Sequence, residues 1–182
     1  MRDRIFVDPR LAPTPISGRI LNEMCSHALE TRPEECCGLI LGTEDERFRA
    51  VHRCRNNMTL QHQSDPEHYP RDGREAYYMS EVDTLRAQQE AESRGECVTG
   101  VYHSHVAAGV YLSEMDQEFA EHELFPFPLA AQIVLAVGAS GVDRIRGAGI
   151  FERDPATGRF RGRALEALPE GLESPLAEEG SS

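Results

Sequence analysis

The sequence predicts a single domain of the α/β (α+β) class, because segments with helical periodicity alternate with short apolar segments of strand length. The chain has 182 residues, of which 40% are hydrophobic and 27% are charged. This composition suits one domain with a real core and argues against wholesale disorder. After about Pro169 the chain becomes rich in Glu, Pro, Gly and Ser. We therefore predict a folded domain over residues 1–168 and an acidic disordered tail over residues 169–182.

Three segments predict helices. The first has apolar residues three and four positions apart and ends before Pro33, since proline disfavours helix in the residue that precedes it. Its apolar positions are Ile16, Ile20, Leu21, Met24, Cys25, Ala28 and Leu29. The second helix, predicted over residues 75–93, has its apolar positions at Met79, Val82, Leu85 and Ala87. The third is predicted over residues 113–124, with Met115 and Phe119 on one face.

Five segments predict β-strands: residues 36–41, 48–53, 97–105, 130–137 and 142–151. The first two are expected to pair as a hairpin. The third and fourth flank the third helix, as in a βαβ unit. Residues 56–74 are rich in polar residues and proline, and we predict that they form a long loop, a feature that is often functional at this length.

The charge of the chain argues against nucleic acid as its main partner. There are 31 acidic and 19 basic residues, for a net charge of −12, whereas a phosphate-binding surface needs a basic stripe. The longest apolar stretch, residues 127–137, is too short and too interrupted to span a membrane. The N-terminal residues lack the apolar segment of a secretory signal, so we expect a cytoplasmic protein. Five cysteines without a CxxC pair do not indicate a disulfide framework.

All 19 basic residues are arginine, and the chain contains no lysine. Genome composition is the simpler explanation. The alternative is functional: a chain without ε-amines cannot accept an isopeptide bond, which would suit a protein that works beside a ubiquitin-like conjugation system.

The residues most suited to chemistry lie at the end of the third strand and the start of the third helix. His103 and His105 are two positions apart on the strand, so their side chains project from one face. After seven intervening residues, Ser113 suits a helix N-cap, which places Asp116 in the first helical turn. Two imidazoles and one carboxylate are zinc ligands, and three protein ligands leave the fourth tetrahedral position open, as in catalytic zinc sites.

Each half of this pattern also has an ordinary explanation. A His-x-His pair occurs on strands by chance, and Ser113 with Asp116 forms a capping box, S-x-x-D. Taken together, the two halves favour a metal site. Other metal-binding families fit less well. The metallo-β-lactamase pattern H-x-H-x-D-H fails, because Ala107 and Ala108 occupy its last two positions. A cupin needs a Glu soon after the second His, and the first one here is Glu114. A zinc deaminase needs H-x-E and P-C-x-x-C, and both are absent from the sequence.

The spacing H-S-H, seven residues, S-x-x-D resembles the signature of the JAMM/MPN+ metallopeptidases, in their bacterial form. That family has a further Glu at the head of a glycine-containing apolar strand. Residues 32–42, R-P-E-E-C-C-G-L-I-L-G, resemble this strand, with Glu35 in the matching position and Glu34 as its rival. One departure is Val106, which stands where family members commonly have proline and affects the shape of the substrate-facing loop.

The resemblance covers about residues 15–150 and implies an MPN/JAB-like central mixed β-sheet flanked by helices. It implies one Zn²⁺ per chain, held by His103, His105 and Asp116. It also implies that Glu35 acts as general base and then general acid, and that the Ser113 hydroxyl helps to stabilise the oxyanion. The reaction would be hydrolysis of a peptide or isopeptide bond after the C-terminal Gly-Gly of a ubiquitin-like protein.

Several functional alternatives stay open at this point. The substrate is either a conjugate that is taken apart or a ubiquitin-like sulfur-carrier protein that is processed. A non-catalytic MPN scaffold and an unrelated metal-binding β-protein, such as a cupin-like enzyme, are the alternatives to a peptidase. The fold often forms homodimers, so a homodimer is a further expectation, whereas nucleic acid and membrane are not expected partners.

Overall fold

The computed structural model describes residues 3–139 and 144–168, so the predicted tail lies outside the described residues. Helices and strands alternate along this part of the chain, which confirms the α+β class. The helices are α1 (Gly18–Thr31), α2 (Met58–Ser64), α3 (Glu81–Ser93) and α4 (Glu114–Glu121). The strands are β1 (Ile5–Phe6), β2 (Thr14–Ile16), β3 (Cys37–Gly42), β4 (Ala50–Cys54), β5 (Cys97–Val106), β6 (Tyr111–Leu112), β7 (Ala131–Val137), β8 (Ile145–Arg153) and β9 (Phe160–Ala167). None of the helices in the described ranges has the length and apolar character needed to cross a bilayer.

Seven strands form one mixed sheet in the order β2-β9-β8-β7-β5-β3-β4, while β1 pairs separately with β6. Neighbours in the large sheet run antiparallel, except that β2 is parallel to β9 and β5 is parallel to β7. The predicted hairpin is present as β3 with β4, and the predicted βαβ unit is present as β5, α4 and β7. Strands β1, β2, β6 and β9 were not predicted, and residues 142–143 of the last predicted strand lie outside the described ranges.

Helices cover both faces of the sheet. On one face, Ile20 and Met24 of α1 pack in one core cluster with the sheet residues Ile40, Tyr102, Ile133 and Leu135. On the second face, Ala87 and Ala91 of α3 pack in another with Leu39, Leu41 and Val101. Because side chains alternate along a strand, His103 and His105 share the second face with Val101.

The long loop predicted over residues 56–74 is corrected by the structure, since α2 lies inside it. The Asn56 side-chain oxygen accepts a hydrogen bond from the main-chain N–H of Met58 at 2.9 Å, which starts the helix, and the Met58 side chain is buried. Only the part after Ser64 remains a loop.

The second helix is also shorter than predicted, because it begins at Glu81 rather than near residue 75. The Ser80 hydroxyl accepts from the main-chain N–H of Asp83 and caps the helix. Of the apolar positions that suggested the longer helix, Val82 and Leu85 are 53% and 54% exposed, while Ala87 faces the core. The S-x-x-D spacing that starts this helix is visible in the sequence and was missed.

The third helix ends at Glu121, and its buried face differs from the predicted one. Met115 and Phe119 are 37% and 40% exposed. The buried positions are Asp116, Gln117 and Ala120. The helix therefore directs polar side chains inward at its first turn, where a core helix would carry apolar ones.

A close approach between β3 and the α1 face gives a stability prediction. A Cβ on Gly38 would lie 2.5 Å from ring atoms of Tyr102, whose hydroxyl is hydrogen-bonded to His27 at 2.8 Å. Gly38→Ala should therefore cost about 1–3 kcal/mol of stability through overpacking. Gly18→Ala, where nothing lies within 4 Å, is the control and should be neutral or slightly stabilising. Urea unfolding measures the stability of both variants, and equal unfolding midpoints would contradict the packing argument.

Candidate metal centre

The two histidines lie side by side at the end of β5, as their spacing predicts. Their Nε2 atoms are 3.1 Å apart, and the two residues are 0% (His103) and 6% (His105) exposed. The strand is held on both sides, because His103 pairs with Cys37 of β3 and with Val134 of β7. The position of both imidazoles is therefore fixed by the centre of the sheet.

Helix α4 brings Asp116 to these histidines. The Ser113 hydroxyl accepts from the main-chain N–H of Asp116 at 3.1 Å, and Asp116 Oδ2 accepts from the main-chain N–H of Ser113 at 2.7 Å, so the predicted capping box is present. Asp116 Oδ1 lies 3.5 Å from His103 Nε2, and Oδ2 lies 3.8 Å from His105 Nε2. Asp116 Oδ2 thus caps the helix and also faces His105, while Oδ1 faces His103.

The geometry of the three side chains fits a zinc ion. Tetrahedral zinc with bonds of about 2.0–2.1 Å places its ligand atoms roughly 3.3–3.4 Å apart. The two Nε2 atoms, 3.1 Å apart, and Asp116 Oδ1, 3.5 Å from His103 Nε2, are close to this spacing. His105 Nδ1 lies 3.1 Å from the carbonyl oxygen of Gly109, an acceptor that requires the proton on Nδ1 and leaves a lone pair on Nε2. His103, His105 and Asp116 are therefore able to hold a metal ion. The ligand atoms that they offer all lie within 4.8 Å of one another.

The protonation state of Asp116 suits a metal ligand. Burial alone would raise the pKa of its carboxyl, but the charge of His103 and hydrogen bonds involving His103, His105 and Ser113 outweigh it, so that the pKa lies well below the usual range. The carboxylate is thus ionised in a buried place, where a charge is stable only next to an opposite one. A divalent cation supplies that opposite charge when the histidines are neutral.

The side chains of the two adjacent glutamates before β3 lie in different surroundings. Glu35 is buried, 6% exposed, and lines the same cavity as His105, Ser113 and Asp116. Glu34 instead accepts a 2.5 Å hydrogen bond from the Thr59 hydroxyl. The structure thus places Glu35, the residue chosen from the resemblance, beside the candidate metal ligands, and its role stays a prediction.

Burial raises the pKa of Glu35 to about 9, and the nearby charge of Asp116 adds to the rise while Arg71 opposes it. Without a metal, Glu35 therefore keeps its proton at neutral pH. A cation beside a carboxyl lowers the pKa of that carboxyl. A metal at the three ligands would therefore favour the ionised Glu35 that a general base must be.

The site opens into a cavity of about 1680 Å³. Its wall combines the candidate site residues with aromatic side chains, Tyr69, Tyr77, Tyr78, Tyr111 and Phe119. Two arginines of the loop after α2, Arg71 and Arg74, also line it. This volume is larger than the roughly 300–1,000 Å³ of ordinary small-molecule pockets.

Two tyrosines that contact the histidines were missed by the sequence analysis. The ring of Tyr77 stacks on His103 with 4.6 Å between centroids and 27° between planes, and the ring of Tyr111 lies 4.6 Å from that of His105. Tyr77 sits in a segment that was predicted as helix, and Tyr111 sits between the third predicted strand and the third predicted helix. Neither position has a local sequence pattern that marks it as a neighbour of the metal ligands.

The N-terminal segment was also missed, and it holds α4 in place. The amide nitrogen of Gln117 donates to the carbonyl oxygen of Asp3 at 3.0 Å, and β1 pairs with β6, just before Ser113. The guanidinium of Arg4 lies 4.5 Å from the ring centroid of Tyr111. Contacts over more than a hundred residues of sequence separation thus support the helix that carries Asp116.

Comparison with known proteins agrees with this fold. Residues 17–146 match the family described as prokaryotic homologs of the JAB domain. The chain is similar in structure to protein DSY2949 from Desulfitobacterium hafniense (TM-score 0.57, 20% identity, 86% of this chain and 93% of that chain). It is also similar to a protein from Salinibacter ruber (TM-score 0.55, 24% identity, 91% of this chain and 97% of that chain). At these identities the two solution structures show the fold alone. No curated protein matches the chain.

Proposed function

The chain belongs to the family of prokaryotic homologs of the JAB domain, and from this premise we propose that it is a zinc-dependent peptidase or isopeptidase. The observation that carries the proposal is the convergence of His103, His105 and Asp116 at the edge of a cavity that Glu35 also lines. A structural zinc site is closed by four protein ligands, whereas three ligands beside an open cavity leave a position for water. The proposed bond is the one after the C-terminal Gly-Gly of a ubiquitin-like protein.

The proposed mechanism assigns one role to each residue around the metal. Zinc, when bound by the three ligands, would polarise a water molecule and the scissile carbonyl. Glu35 accepts a proton from that water and passes it to the leaving amine. The Ser113 oxygen accepts from the Asp116 N–H, so its own O–H stays available to donate to the carbonyl oxygen as negative charge develops there.

The proposed substrate lies extended in the cavity. A C-terminal tail can pair with an exposed strand edge, which supplies main-chain hydrogen bonds without requiring a particular side chain. The segment of residues 76–78 lines the cavity next to Glu35 and offers such an edge. Two glycines before the scissile bond suit a path between the rings of Tyr77 and Tyr111, because a glycine has no side chain to collide with them.

Within this proposal, two substrate classes differ in the group that leaves. In deconjugation the leaving group is a lysine side chain of another protein, and the absence of lysine in this chain would protect it from conjugation. In processing of a sulfur carrier the leaving group is a linear extension. The alternative to both is a non-catalytic scaffold, which the complete set of Glu35, His103, His105, Ser113 and Asp116 disfavours.

A cleavage assay read by intact mass tests the proposed function. Ubiquitin-like proteins that carry either a linear extension or a lysine-linked target are incubated with the zinc-loaded protein. We expect one cut after Gly-Gly, lost on chelation and restored by zinc. Preference for the lysine linkage supports deconjugation, and preference for the linear extension supports processing. Stoichiometric zinc without any cut would contradict the peptidase and favour the scaffold.

A further inference from the structure

Asn56 makes hydrogen bonds to five main-chain groups that come from three separate segments. Its amide nitrogen donates to carbonyl oxygens, and its amide oxygen accepts from N–H groups. The carbonyl oxygens belong to Glu35 (3.0 Å), Ala76 (3.1 Å) and Gly73 (3.5 Å), and the N–H groups belong to Met58 (2.9 Å) and Tyr78 (3.0 Å). The amide orientation is fixed, because every partner on one side is an acceptor and every partner on the other is a donor.

One of these segments carries Glu35. The main-chain N–H of Glu35 donates to the carbonyl oxygen of Gly73 at 2.7 Å, and its carbonyl oxygen accepts from Asn56. The next residue, Cys36, donates its N–H to the Ser104 hydroxyl at 2.8 Å. The main chain of Glu35 is thus held by the segment that runs from Asn56 to Gly73, two residues before the regular pairing of β3 begins.

Another segment is the cavity edge at residues 76–78. The carbonyl of Ala76 and the N–H of Tyr78 both point to Asn56, and the carbonyl of Tyr78 accepts from Asn57 N–H at 2.8 Å. Alternation along an extended chain therefore turns the N–H and C=O of Tyr77 to the opposite side. Neither group is hydrogen-bonded within the described residues, so this edge is open for pairing.

We propose that Asn56 is a positioning residue that couples the open edge at Tyr77 to the main chain of Glu35. A substrate segment that pairs with Tyr77 restricts the motion of residues 76–78. The hydrogen bonds of the Asn56 amide extend this restriction to the main chain of Glu35. The inference rests on the proposed function, in which Glu35 moves the proton. It has a kinetic consequence: substrate contacts with the main chain of Tyr77, outside the scissile bond itself, should raise kcat as well as lower KM, because binding there then improves alignment at the reacting centre.

The test uses two substitutions of the same shape and charge at neighbouring positions. Asn56→Asp keeps an oxygen for the N–H groups of Met58 and Tyr78 but loses the donor to the three carbonyls. Asn57→Asp is the control, because Asn57 precedes α2 and its side chain makes no capping hydrogen bond. Both variants should bind zinc as the wild type does, since the three ligands lie on β5 and α4.

The first readout is amide exchange, measured by NMR on the zinc-free full chain with a synthetic peptide that ends in Gly-Gly. In the wild type and in Asn57→Asp, peptide addition should slow exchange at both Tyr77 and Glu35. In Asn56→Asp it should slow exchange at Tyr77 alone. Slowing at both residues in Asn56→Asp, or at neither in the wild type, overturns the proposal.

The second readout is the dependence of kcat on the length of the substrate tail. Between a tail that reaches Tyr77 and one that stops short of it, kcat should differ about tenfold in the wild type and in Asn57→Asp, and by less than about twofold in Asn56→Asp. A purely structural role would lower kcat for both tails equally and would overturn the proposal. If no substrate is cut while the exchange pattern appears, the coupling stands and the peptidase activity fails.

Discussion

Glu35→Gln should lower kcat by about 10²–10⁴-fold, the usual contribution of a general acid–base group, while zinc still binds at one ion per chain. The amide has nearly the same shape as the carboxyl, so it fills the same buried place, but it cannot accept the proton of the attacking water. Steady-state cleavage and metal content by atomic spectroscopy measure the two parts of this prediction.

Glu34→Gln is the matched control, because it makes the same chemical change one residue earlier. Its amide keeps an oxygen that can accept from the Thr59 hydroxyl, as the carboxylate of Glu34 does at 2.5 Å. Cleavage by this variant should stay within a few-fold of the wild type. An active Glu35→Gln variant, or an inactive Glu34→Gln variant that still folds, would show that the general base has been assigned to the wrong glutamate.

The convergence of the three candidate ligands was predictable from the sequence because local periodicity positions them. His103 and His105 share a face through the two-residue period of a strand, and Asp116 follows from the cap that Ser113 gives to α4. The same reasoning found α1 and the hairpin of β3 and β4, where apolar spacing and Pro33 set the limits.

What the sequence did not predict depends on long-range contacts. Tyr77 lies twenty-six residues before His103 along the chain, and no periodicity connects a stacked ring with its histidine. Asn56 looks like an ordinary polar loop residue until three segments meet around its amide. Strand β9 alternates apolar and polar residues only weakly, and its place in the sheet comes from pairing with β8.

Zinc should stabilise the folded protein measurably, because the three ligands come together only when β5 and α4 are in place. At free zinc about 100-fold above its dissociation constant, the expected gain is about 2.7 kcal/mol. For a domain of this size that corresponds to a rise in Tm of roughly 5–10 °C. Calorimetry on the metal-free protein, with zinc added back stepwise, measures the rise and its saturation at one ion per chain.

Asp116→Asn separates the metal role of this side chain from its capping role. The amide oxygen can still accept from the Ser113 N–H, so α4 keeps its cap, but the charge that binds zinc is gone. Zinc affinity should fall about 100-fold or more, because losing a ligand costs more than losing a residue that only hydrogen-bonds to a ligand. The zinc-dependent rise in Tm should then disappear. Glu118→Gln, an exposed position on the same helix, should keep the full zinc-dependent rise. A zinc-dependent rise in Asp116→Asn as large as in the wild type would mean that the ion binds elsewhere, and the mechanism built on His103, His105 and Asp116 would fall with it.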